Sequence, residues 1–211
     1  MYLAANHATT EFAAPTFTLK KPREFPAFPS FSWVNAPSVK LFNGAYWHKY
    51  PKTLTEVSQG ISEYFYPLDH IAHWNRMYGK RGFQQYQCVI PESVAPVVIR
   101  EILKSISDFG QASFLAVLKR CGDAASPGML SFPMRGTSLA LDFPQSGALD
   151  AQLFPWLDRL VHESGGRLYP AKDAHMSGES FRLAYPEWQQ VERLRDPQLL
   201  SRFWQRMLPE S

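Results

Sequence analysis

The clearest regularity in the chain is a change of period between residues 82 and 169. Over residues 82–91 apolar and polar side chains alternate, which places Tyr86, Cys88 and Ile90 on one side of a predicted strand and Gln85 and Gln87 on the other. Pro91 and Glu92 then open a helix expected to reach residue 109, with Val94, Val97, Val98, Ile102 and Ile106 as its apolar stripe and Gly110 as its stop. Period two returns over residues 113–120, where Phe114, Ala116 and Leu118 share one face and Ser113, Leu115, Val117 and Lys119 the other. A third strand is predicted over residues 137–143, with Thr137, Leu139 and Leu141 opposed to Ser138, Ala140 and Asp142. A helix over residues 149–164 follows, through Leu153, Trp156, Leu157, Leu160 and Val161. Gly165 and Gly166 close it, and residues 167–169 make a brief last strand.

The order is β-α-β-β-α-β, the split βαβ or ferredoxin-like arrangement of the α+β class, in which an antiparallel sheet carries both helices on one face. If Tyr86, Phe114 and Leu139 face the helices, the other face collects Gln85, Gln87, Lys119 and Ser138 from three strands. Such a face is either the floor of a polar ligand site or a solvated sheet surface.

The flanks are less regular. In residues 1–35, prolines 15, 22, 26 and 29 alternate with Phe12, Phe17, Phe25, Phe28, Phe31 and Trp33 in neither period, so this arm is expected to lie along another surface. Val39, Phe42 and Tyr46 predict a helix over residues 36–50, with Ser38 near its start. Residues 61–66 read as a short aromatic strand, and Pro67 as the start of a helix to Tyr78 with Leu68, Ile71, Trp74 and Tyr78 as its stripe. Beyond residue 170 three short helical pieces are expected around Phe181, Val191 and Phe203-Trp204. The chain thus divides into an arm and short helix (1–60), the sheet unit (61–169) and a helical tail (170–211).

Composition narrows the picture. Apolar residues at 45% and aromatic residues at 14% exclude a solvated coil, and a formal charge of +3 is too small to single out nucleic acid or an anionic membrane as partner. The first residues lack a basic and apolar leader pattern and no stretch approaches the ~18 apolar residues of a membrane helix, so no transmembrane segment and a cytoplasmic location are expected. Cys88 and Cys121 stand in no metal-ligand spacing and are expected to be reduced. His70 and His73 lack a third ligand-type neighbour, so they read as surface residues and no metal is expected. No glycine-rich phosphate loop and no hydrolase elbow occurs. The third strand lacks the aromatic signature of an RNA-binding sheet.

Several segments in order, FYPLD (65–69), WNRMYG (74–79), GFQQYQCVIP (82–91), SFLAVLK (113–119), LSFPMRG (130–136), LALDFP (139–144) and GGRLYPAKD (165–173), resemble the C-terminal half of FAD-linked oxidoreductases of the vanillyl-alcohol-oxidase type. The resemblance is greatest to the decaprenylphosphoryl-ribose oxidase group and covers roughly residues 20–208. It implies a substrate (cap) domain that closes over a flavin held by a separate FAD-binding half, with the arm and tail running along that half. It implies Lys172 and Lys119 as catalytic electrostatic groups, Gln85, Gln87, Phe65, Ser138 and Ala140 as substrate-binding residues, and Tyr169 with Lys172 beside the flavin. Phe65, Ser138 and Ala140 depart from the Tyr, Asn and Cys of related sequences, which bears on substrate identity.

The resemblance further implies that FAD, and a FAD-binding domain or chain to hold it, come from outside these residues, so that the chain is a truncated product, one half of a split enzyme or a fragment, inactive alone. The expected substrate is a sugar or polyol derivative oxidised at a CH-OH group. The alternative is a non-catalytic ligand-binding or interaction module with the same fold. The rings of the arm and tail, without obvious room in the sheet unit, lead to an expectation of self-association.

Overall fold

The structure is a computed structural model, and it describes residues 6–7, 23–25, 32–49, 58, 60–66, 71–113, 115–172 and 175–209. Their elements, in chain order, begin with strand β1 (Arg23–Glu24), helix α1 (Ala36–Lys49), helix α2 (Ile61–Phe65) and strand β2 (Ile71–Ala72). The sheet unit follows as β3 (Phe83–Pro91), α3 (Ala95–Asp108), β4 (Ala116–Cys121), β5 (Gly136–Pro144), α4 (Phe154–Glu163) and β6 (Arg167–Leu168). Helices α5 (Gly178–Ala184), α6 (Trp188–Leu194) and α7 (Arg202–Met207) complete the chain. This is an α+β protein.

The four-stranded sheet runs β4-β5-β3-β6 and every pairing is antiparallel. Nine consecutive pairs join β3 to β5, from Phe83 opposite Pro144 to Pro91 opposite Gly136. Since opposed residues share a face, the register puts Tyr86, Cys88, Ile90, Leu139 and Leu141 together, all buried under Ile99, Ile102 and Ile106 of α3 and Leu157 and Val161 of α4. Each fully buried side chain of this size removes about 1.5–3 kcal/mol worth of apolar surface from water. On the second face lie Gln85, Gln87 and Val89 of β3, Val117 and Lys119 of β4, and Ser138, Ala140 and Asp142 of β5, because Gln85 opposes Asp142, Val89 opposes Ser138 and Lys119 also opposes Ser138. The face assignment made from alternation therefore holds; Phe114 lies outside the described residues.

Some boundaries differ from the sequence reading. Helix α3 starts at Ala95 rather than Pro91, and its buried line is Ala95, Ile99, Ile102 and Ile106, leaving Val97 at the surface. Trp156 is also outside the core, with its indole N–H donating to Ser105 Oγ at 3.0 Å. Residues 61–65 are a helix, not a strand: the Tyr64 N–H reaches the Gly60 carbonyl at 3.1 Å, and five residues are too few for alternation to distinguish the two. The helix expected through Tyr78 is replaced by β2 and a 3-10 turn over Trp74–Tyr78. His73 between them has φ 58°, a left-handed conformation no helix continues through. Residues 67–70 lie outside the described residues.

The described part of the arm lies on this same segment. β1 pairs in parallel with β2, and the Trp33 N–H donates to the Met77 carbonyl at 2.8 Å. Val34 and Val39 join Met77 and Tyr78 in a small second core. The tail also differs from expectation, because Phe181, Tyr185, Trp204 and Met207 are buried in the main core rather than short of room. Tyr185 Oη donates to the Leu168 carbonyl at 2.6 Å, fixing α5 to β6.

Gly136, at the tight end of the β3–β5 ladder, tests this arrangement: a Cβ there would stand 2.0 Å from the Ile90 carbonyl oxygen. Gly136→Ala is expected to cost about 3 kcal/mol or to prevent folding, as an overpacked site against backbone does, whereas Gly147→Ala, facing open space, stays near neutral. Urea unfolding of the two variants reads the difference.

Candidate functional site

The second face of the sheet is roofed at its ends and exposed in the middle. At one end Phe83 stacks on Tyr78 with centroids 4.7 Å apart, bringing the small core over the sheet. At the other, Tyr169 stacks on Phe132 at 4.6 Å, and Arg167 Nη1 donates to the Ser131 carbonyl at 3.0 Å, which holds the loop before β5 against β6. Val89 and Ser138 are buried beneath this end.

At the edge of β3, where β6 ends, a shallow cleft is lined by Gln85, Tyr86, Gln87, Leu168, Tyr169, Lys172 and His175. β6 pairs with β3 only at Cys88 and Val89, after which the Tyr169 N–H takes the Gln87 carbonyl at 2.9 Å and the chain turns through Pro170–Lys172. That turn carries the Lys172 ammonium to the edge of β3. Lys119 reaches the same face from β4, the opposite edge of the sheet. With three inter-strand steps between β6 and β4, the two lysine-bearing edges are about 14 Å apart.

Among the residues singled out from sequence, Gln85, Gln87, Tyr169 and Lys172 thus meet at one cleft, whereas Lys119, Ser138 and Ala140 lie on the same sheet face as the glutamines but do not line it. Phe65 does not join them. It sits on α2, 63% exposed, in ring contact with Tyr64 and Tyr66.

Sequence reasoning passed over Asp142, Asp158 and His175. Asp142, opposite Gln85, is fully buried; its Oδ1 accepts the Gln85 Nε2–H at 2.7 Å, and its Oδ2 has no hydrogen-bond partner among the described residues. Burial pushes its carboxyl above the usual carboxylate range, while the Gln85 hydrogen bond and the Lys172 charge pull it back. Among the described residues the Tyr78 hydroxyl is likewise buried without a partner, and burial, with the nearby Asp142 charge, raises it above the ordinary phenol value. On the helix side of the cleft, Asp158 of α4 bridges the Tyr86 hydroxyl and His175 Nδ1, each at 3.0 Å. The signal for Asp142 was visible as a carboxylate within an otherwise apolar strand. Asp158 and His175 had no such mark, since only the fold brings them together.

Cys88 lies under the same strand, but burial pushes its thiol up to about 12, so it is an unreactive core residue. Among the described residues both cysteines are free and no group of His, Cys, Asp or Glu could hold a metal. No helix among them is long and apolar enough to cross a membrane. What converges on the cleft is a set of amides, a phenol ring and an ammonium, suited to orienting hydroxyl groups and to stabilising negative charge.

The chain is thus an α+β protein with a four-stranded antiparallel sheet, helices packed on one face and a polar cleft at the edge of β3. The chain is 38% identical over 157 residues, 73% of its length, to decaprenylphosphoryl-beta-D-ribose oxidase of Mycolicibacterium smegmatis, and covers 34% of that protein. It is 33% identical over 114 residues, 54% of its length, to an uncharacterized protein in the mprA 5' region of Streptomyces coelicolor, covering 30% of it. The resemblance to the decaprenylphosphoryl-ribose oxidase group is thereby shown, and the chain spans about a third of the length of these curated relatives. No family model matches the chain.

The buried carboxylate gives a pH test. A folded pKa raised above the unfolded value makes a contribution to stability that is complete below the unfolded pKa and is lost as pH rises through the folded pKa. Asp142→Asn removes that dependence, so its urea midpoint relative to the unsubstituted chain is expected to rise from about pH 4 and to level off above the folded pKa. A difference that is flat or shrinks with pH would show that the carboxyl is not disfavoured by burial.

Proposed function

We propose that this chain is the substrate (cap) half of a FAD-dependent oxidoreductase that oxidises a CH-OH group of a sugar or polyol derivative. The observation that carries the reading is the meeting of Gln85, Gln87, Tyr169 and Lys172 at one cleft in a homologue of decaprenylphosphoryl-beta-D-ribose oxidase. The unit from β3 to β6 is read as ferredoxin-like, supported by its antiparallel β6-β3-β5-β4 order.

The cleft is shallow and the chain has no phosphate-binding glycine loop, so its residues fit one wall of a flavin ring site, not a whole dinucleotide site. When bound by a separate domain or chain, FAD supplies the acceptor for the hydride that leaves the carbinol carbon. Tyr169 and Lys172 form the wall beside the ring in this reading. The amide carbonyls of Gln85 and Gln87 hold substrate hydroxyls, with Ser138 and Ala140 on the same sheet face beside them. Oxidation there would pass a hydride from the carbinol carbon to that acceptor and the hydroxyl proton to solvent or a base, leaving a carbonyl. Lys172, with Lys119 at the far edge, stabilises the negative charge that develops on the substrate oxygen and the reduced ring. Phe65, exposed on α2, enters only if the partner domain folds that segment inward.

The experiment is to supply a flavin domain from a related oxidase and measure polyol oxidation by the assembled pair. Lys172→Ala is expected to lower turnover roughly a hundredfold while assembly is unchanged, the scale of one electrostatic donor acting in the transition state. Equal turnover would make Lys172 a surface lysine, and a stoichiometrically yellow protein from the chain alone with FAD would overturn the division of labour.

A further inference from the structure

Gln85 and Asp142 form a pair whose sense is fixed by chemistry. They are opposed in the β3–β5 register, and the Asp142 main-chain N–H donates to Ser113 Oγ at 2.9 Å, which anchors the backbone of β5 at this point. An amide has one end that only donates and one that only accepts, whereas an ionised carboxylate only accepts. The 2.7 Å bond therefore commits one N–H of Gln85 to Asp142 and turns its carbonyl oxygen away. Gln87 repeats the pattern more loosely, its Nε2 3.4 Å from Ser138 Oγ. Two neighbouring glutamines both direct their nitrogens toward β5.

We propose that Asp142 is a positioning residue that fixes the sense of the Gln85 amide, so that the cleft presents a carbonyl acceptor there and selects ligands that bring a hydroxyl donor to that point. This rests on the reading of the cleft as the substrate floor and gives that floor a polarity: acceptors from β3, a cationic donor from Lys172. A ligand offering only acceptors, such as a carboxylate or phosphate group, faces the Gln85 carbonyl oxygen there, with only the amide's second N–H left to it. The buried side chain of Asp142 needs no contact with the ligand to impose this.

The test uses the ¹⁵N-labelled chain, with the Gln85 side-chain amide assigned by its loss in Gln85→Leu. Its hydrogen-bonded proton is expected to exchange with water about tenfold more slowly than those of the exposed Gln189 and Gln190, the factor for a hydrogen bond to a charged acceptor. Asp142→Leu should abolish the protection. Exchange as fast as at Gln189, or protection that survives in Asp142→Leu, overturns the proposal. Should that variant not fold, a donor–acceptor swap reads the same point. Gln85→Glu sets acceptor against acceptor and lowers the folding equilibrium constant, and adding Asp142→Asn raises it about tenfold more than the same substitution does in the unsubstituted chain; absence of that coupling also overturns the proposal. Neither measurement involves flavin or turnover, so a failed redox reading and a failed assignment of Asp142 are distinguishable.

Discussion

The nine-residue antiparallel ladder between β3 and β5 is the constraint on which the remaining structure depends. A slip by one residue would exchange the two faces, sending Tyr86, Cys88 and Ile90 to the cleft and the glutamines into the helices. Burying two amides without partners costs several kcal/mol, so the alternative register is strongly disfavoured. Gly136 contributes to the same choice, since only a residue without Cβ lets β5 approach Ile90 this closely. One set of hydrogen bonds thus settles both the core and the chemistry of the opposite face.

The two faces are not independent in another respect. Tyr86 belongs to the core, yet its hydroxyl reaches Asp158, which also holds His175 at the border of the cleft. His175 lies flat against Phe154, 4.6 Å away, so the border of a polar cleft rests on an aromatic core residue. The position of the cleft wall is in this way tied to packing between α4 and β3.

The strands, the two long helices and the polar face were legible because each rests on a periodicity repeated over several residues. Lys119 and Ser138 could be assigned to the glutamine face from alternation alone, and the register agrees. The region from residue 61 to 78 was misread for the opposite reason: its elements are two to five residues long, and a left-handed His73 and a pairing with Arg23 and Glu24 decide them. Neither is a local pattern. Likewise the burial of Phe181, Tyr185 and Trp204 depends on the surface left by β6, which no count of rings could reveal. At the cleft, sequence resemblance pointed to Lys172, but its approach to Gln85 and Gln87 depends on how short β6 is.

That shortness has a dynamic meaning. The connection bearing Lys172 leaves the sheet at Leu168, and α5 on its far side is fastened to that same residue through the Tyr185 hydroxyl. The elements on the two sides of the connection are therefore fixed to each other, through the C-terminal end of α5. Most of the entropy of bringing its ends together is lost when the core forms, before any ligand arrives. A second molecule that docks against this edge would therefore meet an ammonium whose flanking elements are already set by the core.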